Sequence, residues 1–357
     1  MIENKLGKTF DNLAQRIIYS YLATYPKFIF MENIGANESS QKQMYDFLYE
    51  TVYNIYKNPS IIGVIHEPDA FYENGQLNNT NPALIKSMEK VENKFFKFIE
   101  YLYKVGCYGE INNDEFRILN NDWKINKTII EVFKQVGITC NITKESTILT
   151  VQKYPQIFQT WNLYSKNIDI NQDKITQMLT FFHGRYFGKK YKVIDFFENL
   201  SGNRSELNEL ENYFILKGFE YYNTKVNAKT RTAYVQWKKD YSNDEQGYMN
   251  VFFNWRQRDQ LCFDFRVPGF RKMLKSYNKM NENIKKLVFD RTKTCDGCGY
   301  CTQMDKTGKR AVLADELTYN DETLNKCPLY PNLTWNYINS NDLIDVKQLF
   351  EFSESIL

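Results

Sequence analysis

Cysteine is the residue type whose spacing in this chain best supports chemistry. Cys295, Cys298 and Cys301 recur at every third position, and Cys327 comes back later, directly before Pro328. Three thiolates in one tight loop, with a fourth returned by a hairpin, make a tetrathiolate cage, the donor set of a structural zinc site or an iron–sulfur cluster. Gly297 and Gly299 free the loop backbone to wrap around one centre. Met304 to Arg310 reads as a polar turn, Ala311 to Leu313 as a short strand and Asn320-Asp321 as a second turn. The result is a ribbon with ligands at both ends, and so short a segment needs a metal staple to fold. Lys293, Lys306, Lys309, Arg310 and Lys326 are placed to offset thiolate charge. The expected cofactor is zinc, with one [4Fe–4S] cluster as the alternative.

The run Cys295-Asp-Gly-Cys298-Gly-Tyr-Cys301, together with Cys327-Pro328, resembles the cluster loop and the remote fourth ligand of bacterial ferredoxins. That resemblance implies a [4Fe–4S] centre, and it covers only those residues. In the ferredoxin loop a further Cys-Pro follows after three residues, whereas this chain runs through Thr302 to Met304 into Asp305.

Other chemistry is sparse. The two histidines, His66 and His183, have neither a paired nucleophile nor metal spacing, so each reads as a polar loop residue or a satisfied partner. No Walker loop, Gly-rich dinucleotide fingerprint, His-Glu-x-x-His or Gly-x-Ser-x-Gly occurs, which disfavours the familiar hydrolases and nucleotide enzymes. Strand alternation puts Asp264 with Arg266, and Asn254 with Arg256, opposite the large apolar side chains. Arg256, Asp264 and Arg266 are therefore candidate ligand-binding residues for a small anion. Ordinary cross-strand stabilisation is the competing account. Cys107, Cys140 and Cys262 read as small apolar residues.

The elements that must carry these groups follow from periodicity. Leu13, Ile17 and Tyr21 trace one helix face, as do Met44, Leu48, Val52 and Tyr56. Asn33 to Ser40 and Asn74 to Asn81 read as loops, and Ile61 to Ile65 as a short buried strand. Three runs, Val105-Gly106-Cys107, Val136-Gly137-Ile138 and Lys217-Gly218-Phe219, read as a helix ended by a glycine cap and followed by a strand. Ala233, Val235 and Trp237, then Met249, Val251, Phe253 and Trp255, then Leu261, Phe263, Phe265 and Val267, mark strands of an antiparallel sheet with one buried face. Met273, Leu274, Tyr277, Ile284 and Leu287 follow as helix, and Leu343, Val346 and Phe350 mark a final one.

The fold class expected is α+β: a helical region over 1–90, an α+β body over 91–290, for which the recurring helix–cap–strand units leave two related halves as an alternative, and a four-cysteine tail with a terminal helix over 291–357. Leu329, Tyr330 and Trp335 are expected to seat that tail on a separately cored body, so that a chain ending near Phe289 would still fold. The 357 residues carry a net charge of +3, which signals neither nucleic acid nor a membrane surface. Aromatic residues at 16% suit core filling. With no leader-like apolar segment and no run long enough to span a bilayer, a cytoplasmic location is expected, where cysteines persist as thiols or metal ligands. The sequence thus reads as a non-catalytic cytoplasmic protein with a structural zinc module that binds a small molecule or protein partner. The alternative is an iron–sulfur redox or sensor protein.

Overall fold

The computed structural model describes residues 13–32, 34–65, 72–73, 76–77, 82–112, 115–171, 174–182, 190–198, 200, 203–227, 232–242, 245–254, 261–296, 298, 302–304, 310–312 and 314–357. Among them, helices combine with sheets whose paired strands all run antiparallel, an α+β chain. Two compact units result: residues 1–189 with 196–199, and residues 190–195 with 200–357.

In the first unit, α1 (Leu13–Ala23) and α2 (Glu38–Lys57) pack on each other through the expected faces, with Ile17, Tyr21, Met44, Leu48 and Val52 buried. Asn37 caps α2 by accepting from the Ser40 amide, so the polar run before the helix ends in its N-cap. Ile61 to Ile65 is not a strand. Pro59–Ile62 forms a 3₁₀ turn closed by Gly63 at φ 71°, and Ile65 is 91% exposed. Proline at the first helical position and a left-handed glycine after the last one override the apolar run. Of the short hairpin that follows, only β1 (Tyr72–Glu73) and β2 (Gln76–Leu77) are described.

Helix α3 (Pro82–Tyr108) packs against α1, α5 (Ile157–Lys166) and α6 (Lys174–Phe182). It is continuous through residue 90, so the sequence bound placed there falls inside a helix of the N-terminal core. Gly106 also lies within α3 and does not cap it. A Cβ at Gly106 would stand 2.0 Å from Ser165 Oγ and 2.7 Å from the Trp161 carbonyl oxygen, so its role is close approach of α3 and α5. A four-stranded sheet completes the unit, from β3 (Gly109–Asn112), β4 (Glu115–Leu119), β5 (Thr139–Ile142) and β6 (Ser146–Thr150). Its strands lie in the order β3-β4-β6-β5. Between β4 and β5 lies α4 (Lys127–Gln135), which does end as expected. Gly137 adopts φ 83°, with the Ile138 amide donating to Phe133 O and the Gly137 amide to Lys134 O, the paired bonds of a Schellman cap.

Residues 190–195, with most of the short helix α7 (Val193–Phe196), belong to the second unit, 196–199 belong to the first, and from residue 200 the second unit continues into α8 (Arg204–Leu216), closed in the same way by Gly218 at φ 86°. A five-stranded sheet follows, built from β7 (Glu220–Asn227), β8 (Thr232–Asp240), β9 (Gln246–Asn254), β10 (Cys262–Arg266) and β15 (Asn332–Trp335). The strands lie in the order β15-β10-β9-β8-β7. Ala233, Val235, Trp237, Met249, Val251, Phe253, Phe263 and Phe265 share its buried face as the alternation requires. Trp255 lies outside the described residues. Helices α9 (Phe270–Lys275) and α10 (Glu282–Arg291) come next. The sequence bound at 290 falls inside α10.

The tail is part of this core, which corrects the expectation of a separately cored body. Strand β15 pairs with β10, placing a fully buried Trp335 against Phe263 with ring centroids 5.5 Å apart. Helix α11 (Ser340–Ser355) starts at an Asn339/Asp342 capping box and packs on α8 and α10. Phe350 there meets Phe214 of α8 at 5.2 Å. Leu329 and Tyr330, by contrast, are each 45% exposed. Burying a large aromatic group outweighs what the short polar segments around it would prefer, so β15 and α11 join the body.

Candidate metal centre

Between α10 and β15 the chain makes β11 (Thr302–Met304), β12 (Arg310–Val312) and a hairpin of β13 (Asp315–Tyr319) and β14 (Glu322–Lys326). Asn320 and Asp321 turn that hairpin with φ 48° and 65°, the two left-handed residues of a type I′ turn. The end of β14 is then bridged to the start of the cysteine loop. Thr294 pairs with Lys326, the Cys295 amide donates to Asn325 O at 2.8 Å, and the Cys327 amide donates to Lys293 O at 2.8 Å.

Alternation across this bridge gives its two sides different chemistry. Lys326 is 2% exposed; its ammonium donates to Thr292 O and Thr294 Oγ1 and lies 4.8 Å from the Phe289 ring centroid. Burial lowers its pKa. Cys295, Cys327 and Lys293 belong to the opposite side. Of the cations expected to offset thiolate charge, Lys326 is therefore turned away, while Lys293 stands with the cysteines. Asp296, through its hydrogen bond first and its charge second, raises the Lys293 pKa. Lys306 and Lys309 lie outside the described residues, as does the Arg310 side chain.

Asp296 shapes the loop itself. Its Oδ1 accepts from the Cys298 amide at 3.2 Å and its Oδ2 meets Lys293 Nζ at 2.9 Å. The lysine, followed by the Cys298 bonds, lowers the Asp296 pKa. A side-chain oxygen that accepts from the amide two residues on is the bond of an Asx turn. Cys295 and Cys327 are partly buried and Cys298 is exposed, all three as free thiols. Cys301 lies outside the described residues. Among the described residues no three His, Cys, Asp or Glu side chains are grouped as a metal site.

The other candidates are distributed differently. Arg256 lies outside the described residues, as do His66 and His183. Asp264 does not pair with Arg266: its Oδ1 accepts from Thr334 Oγ1 at 2.9 Å and its Oδ2 from Asn250 Nδ2 at 3.3 Å. Burial raises its pKa and those two hydrogen bonds oppose the shift. Arg266 extends instead over the Tyr248 ring, 5.4 Å from its centroid. Asn250 and Thr334 escape a reading of β10 alone because they reach Asp264 only through strand register. Cys262 is buried, and Cys107 and Cys140 are partly buried with their thiol pKa values raised first by burial. They have the character of structural thiols, not reactive ones.

No family model matches this chain, no curated protein matches it, and no solved structure matches it. Among the described residues no helix is long and apolar enough to cross a membrane.

Proposed function

We propose that Cys295, Cys298, Cys301 and Cys327 hold one zinc ion as a structural staple in a non-catalytic, cytoplasmic protein. The observation that supports this most is the Thr294–Lys326 bridge, which joins the two sequence-distant halves of the motif and sets Cys295 and Cys327 on one side of it. A four-thiolate zinc site is closed and tetrahedral, so its task is to fix the loop against β14, not to expose a reactive position. Lys293 lies on the same side, with its ammonium paired to Asp296 at 2.9 Å.

Metal analysis and absorption spectroscopy of the anaerobically purified full chain test the reading. One zinc per chain and a colourless protein are expected. Iron with inorganic sulfide and a brown colour would replace zinc with a [4Fe–4S] cluster, and no bound metal in freshly purified protein would end the proposal. Each of Cys295→Ser, Cys298→Ser, Cys301→Ser and Cys327→Ser is expected to lower metal content, whereas Cys107→Ser and Cys140→Ser leave it unchanged.

A further inference from the structure

The outward face of the five-stranded sheet carries a polar row that crosses every strand. Register aligns Asn223 with Gln236, Gln236 with Asn250, Asn250 with Asp264, and Asp264 with Thr334. All five side chains are partly buried. A concavity of about 270 Å³ lies over this row, lined by Tyr222, Gln236, Tyr248, Asn250, Arg266 and Asn332. That is slightly below the range of roughly 300–1,000 Å³ typical of sites for drug-sized ligands, so its occupant is small.

Two features set this concavity apart from an ordinary solvated face. The first is a register shift in β7 between Tyr221 and Asn223. Tyr221 stays opposite the buried Trp237, while Tyr222, 55% exposed, meets Tyr248 edge-on at 6.0 Å. A bulge re-aims a side chain in this way, and here it adds a second aromatic ring to the lining. The second is the direction of the hydrogen bonds. Both carboxylate oxygens of Asp264 accept, one of them from Asn250 Nδ2. Asn250 is thereby turned with its carbonyl oxygen toward Gln236, which donates through Nε2 at 2.5 Å. Gln236, which lines the concavity, has one N–H committed to Asn250 and keeps a carbonyl oxygen and a second N–H as the acceptor and donor available for a ligand.

Flat aromatic and guanidinium surfaces for stacking, beside a carboxamide that presents a donor–acceptor pair, are the groups that read an unstacked nucleobase. We propose that this concavity binds a single nucleobase, supplied as a free base or nucleoside, by stacking on Tyr222 or Tyr248 and pairing with Gln236, with Asp264 as the residue that sets the amide polarity. A polynucleotide fits less well. Among the described residues Arg266 is the sole cation lining the concavity, Lys238 beside it is held by Asp240 at 2.8 Å, and the chain's net charge is only +3. The inference is independent of the cysteine site, and metal content does not enter its readout.

Titration of the full chain with adenosine, guanosine, cytidine and uridine, followed by saturation-transfer NMR and tyrosine fluorescence, tests it. Saturable binding with preference among the four is expected. Tyr222→Leu, at an exposed position, weakens binding about tenfold or more while the protein stays folded. Asp264→Asn lets the Asn250 amide turn over, so the ratio of affinities among the four nucleosides narrows; a merely structural Asp264 would lower stability and leave that ratio unchanged. Absence of saturable binding by any nucleoside to the folded unmodified protein overturns the proposal. So does saturation by monosaccharides alone, or binding only of a single-stranded oligonucleotide with steep salt dependence.

Discussion

At the residue scale, Glu211 on α8 is 2% exposed and its Oε2 accepts from the Val193 amide at 3.0 Å. Burial is the main cause that lifts its pKa to about 7, opposed by that amide and by Lys192 and reinforced by Asp195. A carboxyl whose folded pKa stands above its unfolded one contributes stability at low pH, and that contribution is lost as pH rises from the unfolded value through the folded one. Glu211→Gln keeps an acceptor for Val193 and never ionises. The variant is therefore expected to match the parent below about pH 4.5 and to exceed it by up to about 3 kcal/mol near pH 8, read from denaturant midpoints across that range. A difference between the two that does not vary with pH would show that Glu211 titrates normally. Asp264 follows the same sign, with stability declining as pH rises through its raised pKa.

At the element scale, two glycines that look alike in sequence do different work. Gly137 has φ 83°, and a Cβ added there would meet nothing within 4 Å, so Gly137→Ala costs only the left-handed backbone, about 1–2 kcal/mol. Gly106 has ordinary helical backbone, but its Cβ would run into Ser165 and the Trp161 carbonyl. Gly106→Ala must push α3 and α5 apart, and overpacking of this kind costs roughly 1–3 kcal/mol. Replacing Ser165 by Ala does not restore the loss, because the Trp161 backbone remains in the way. Urea unfolding of G137A, G106A and the G106A/S165A pair distinguishes strain from clash: full rescue in the pair would remove the backbone from the argument.

At the scale of the whole molecule, the C-terminal segment completes the second unit. A chain ending at Phe289 lacks β15 and α11 and leaves Phe263, Phe265 and Phe214 without the cover of Trp335 and Phe350. Losing two buried aromatic side chains takes away at least about 3–5 kcal/mol each, a large fraction of the stability of a domain. Hydrogen exchange on the truncated chain is expected to show β7 to β10 unprotected and α1 to α3 still protected, since these belong to different units. Protection of β8 and β9 at parental levels would return the tail to an accessory role.

Periodicity alone determined a good part of this protein. The alternation of Ala233 to Trp237 and of Leu261 to Val267 identified the buried face of the five-stranded sheet, and three- and four-residue spacings identified α1, α2 and α11, because side-chain direction repeats with a period the residues themselves display. The spacing of Cys295, Cys298, Cys301 and Cys327 is likewise legible in the sequence, and their use as a donor set is the proposal made above. Tertiary structure decided what depends on residues far apart in the chain: that Gly106 marks a helix crossing, that Trp335 joins β10, that Lys326 turns away from the cysteines, and that Asp264 orders Asn250 and Gln236 through the register of three strands. Each of these is a contact between segments whose approach is set by packing, and local sequence carries no record of which surface a side chain will meet.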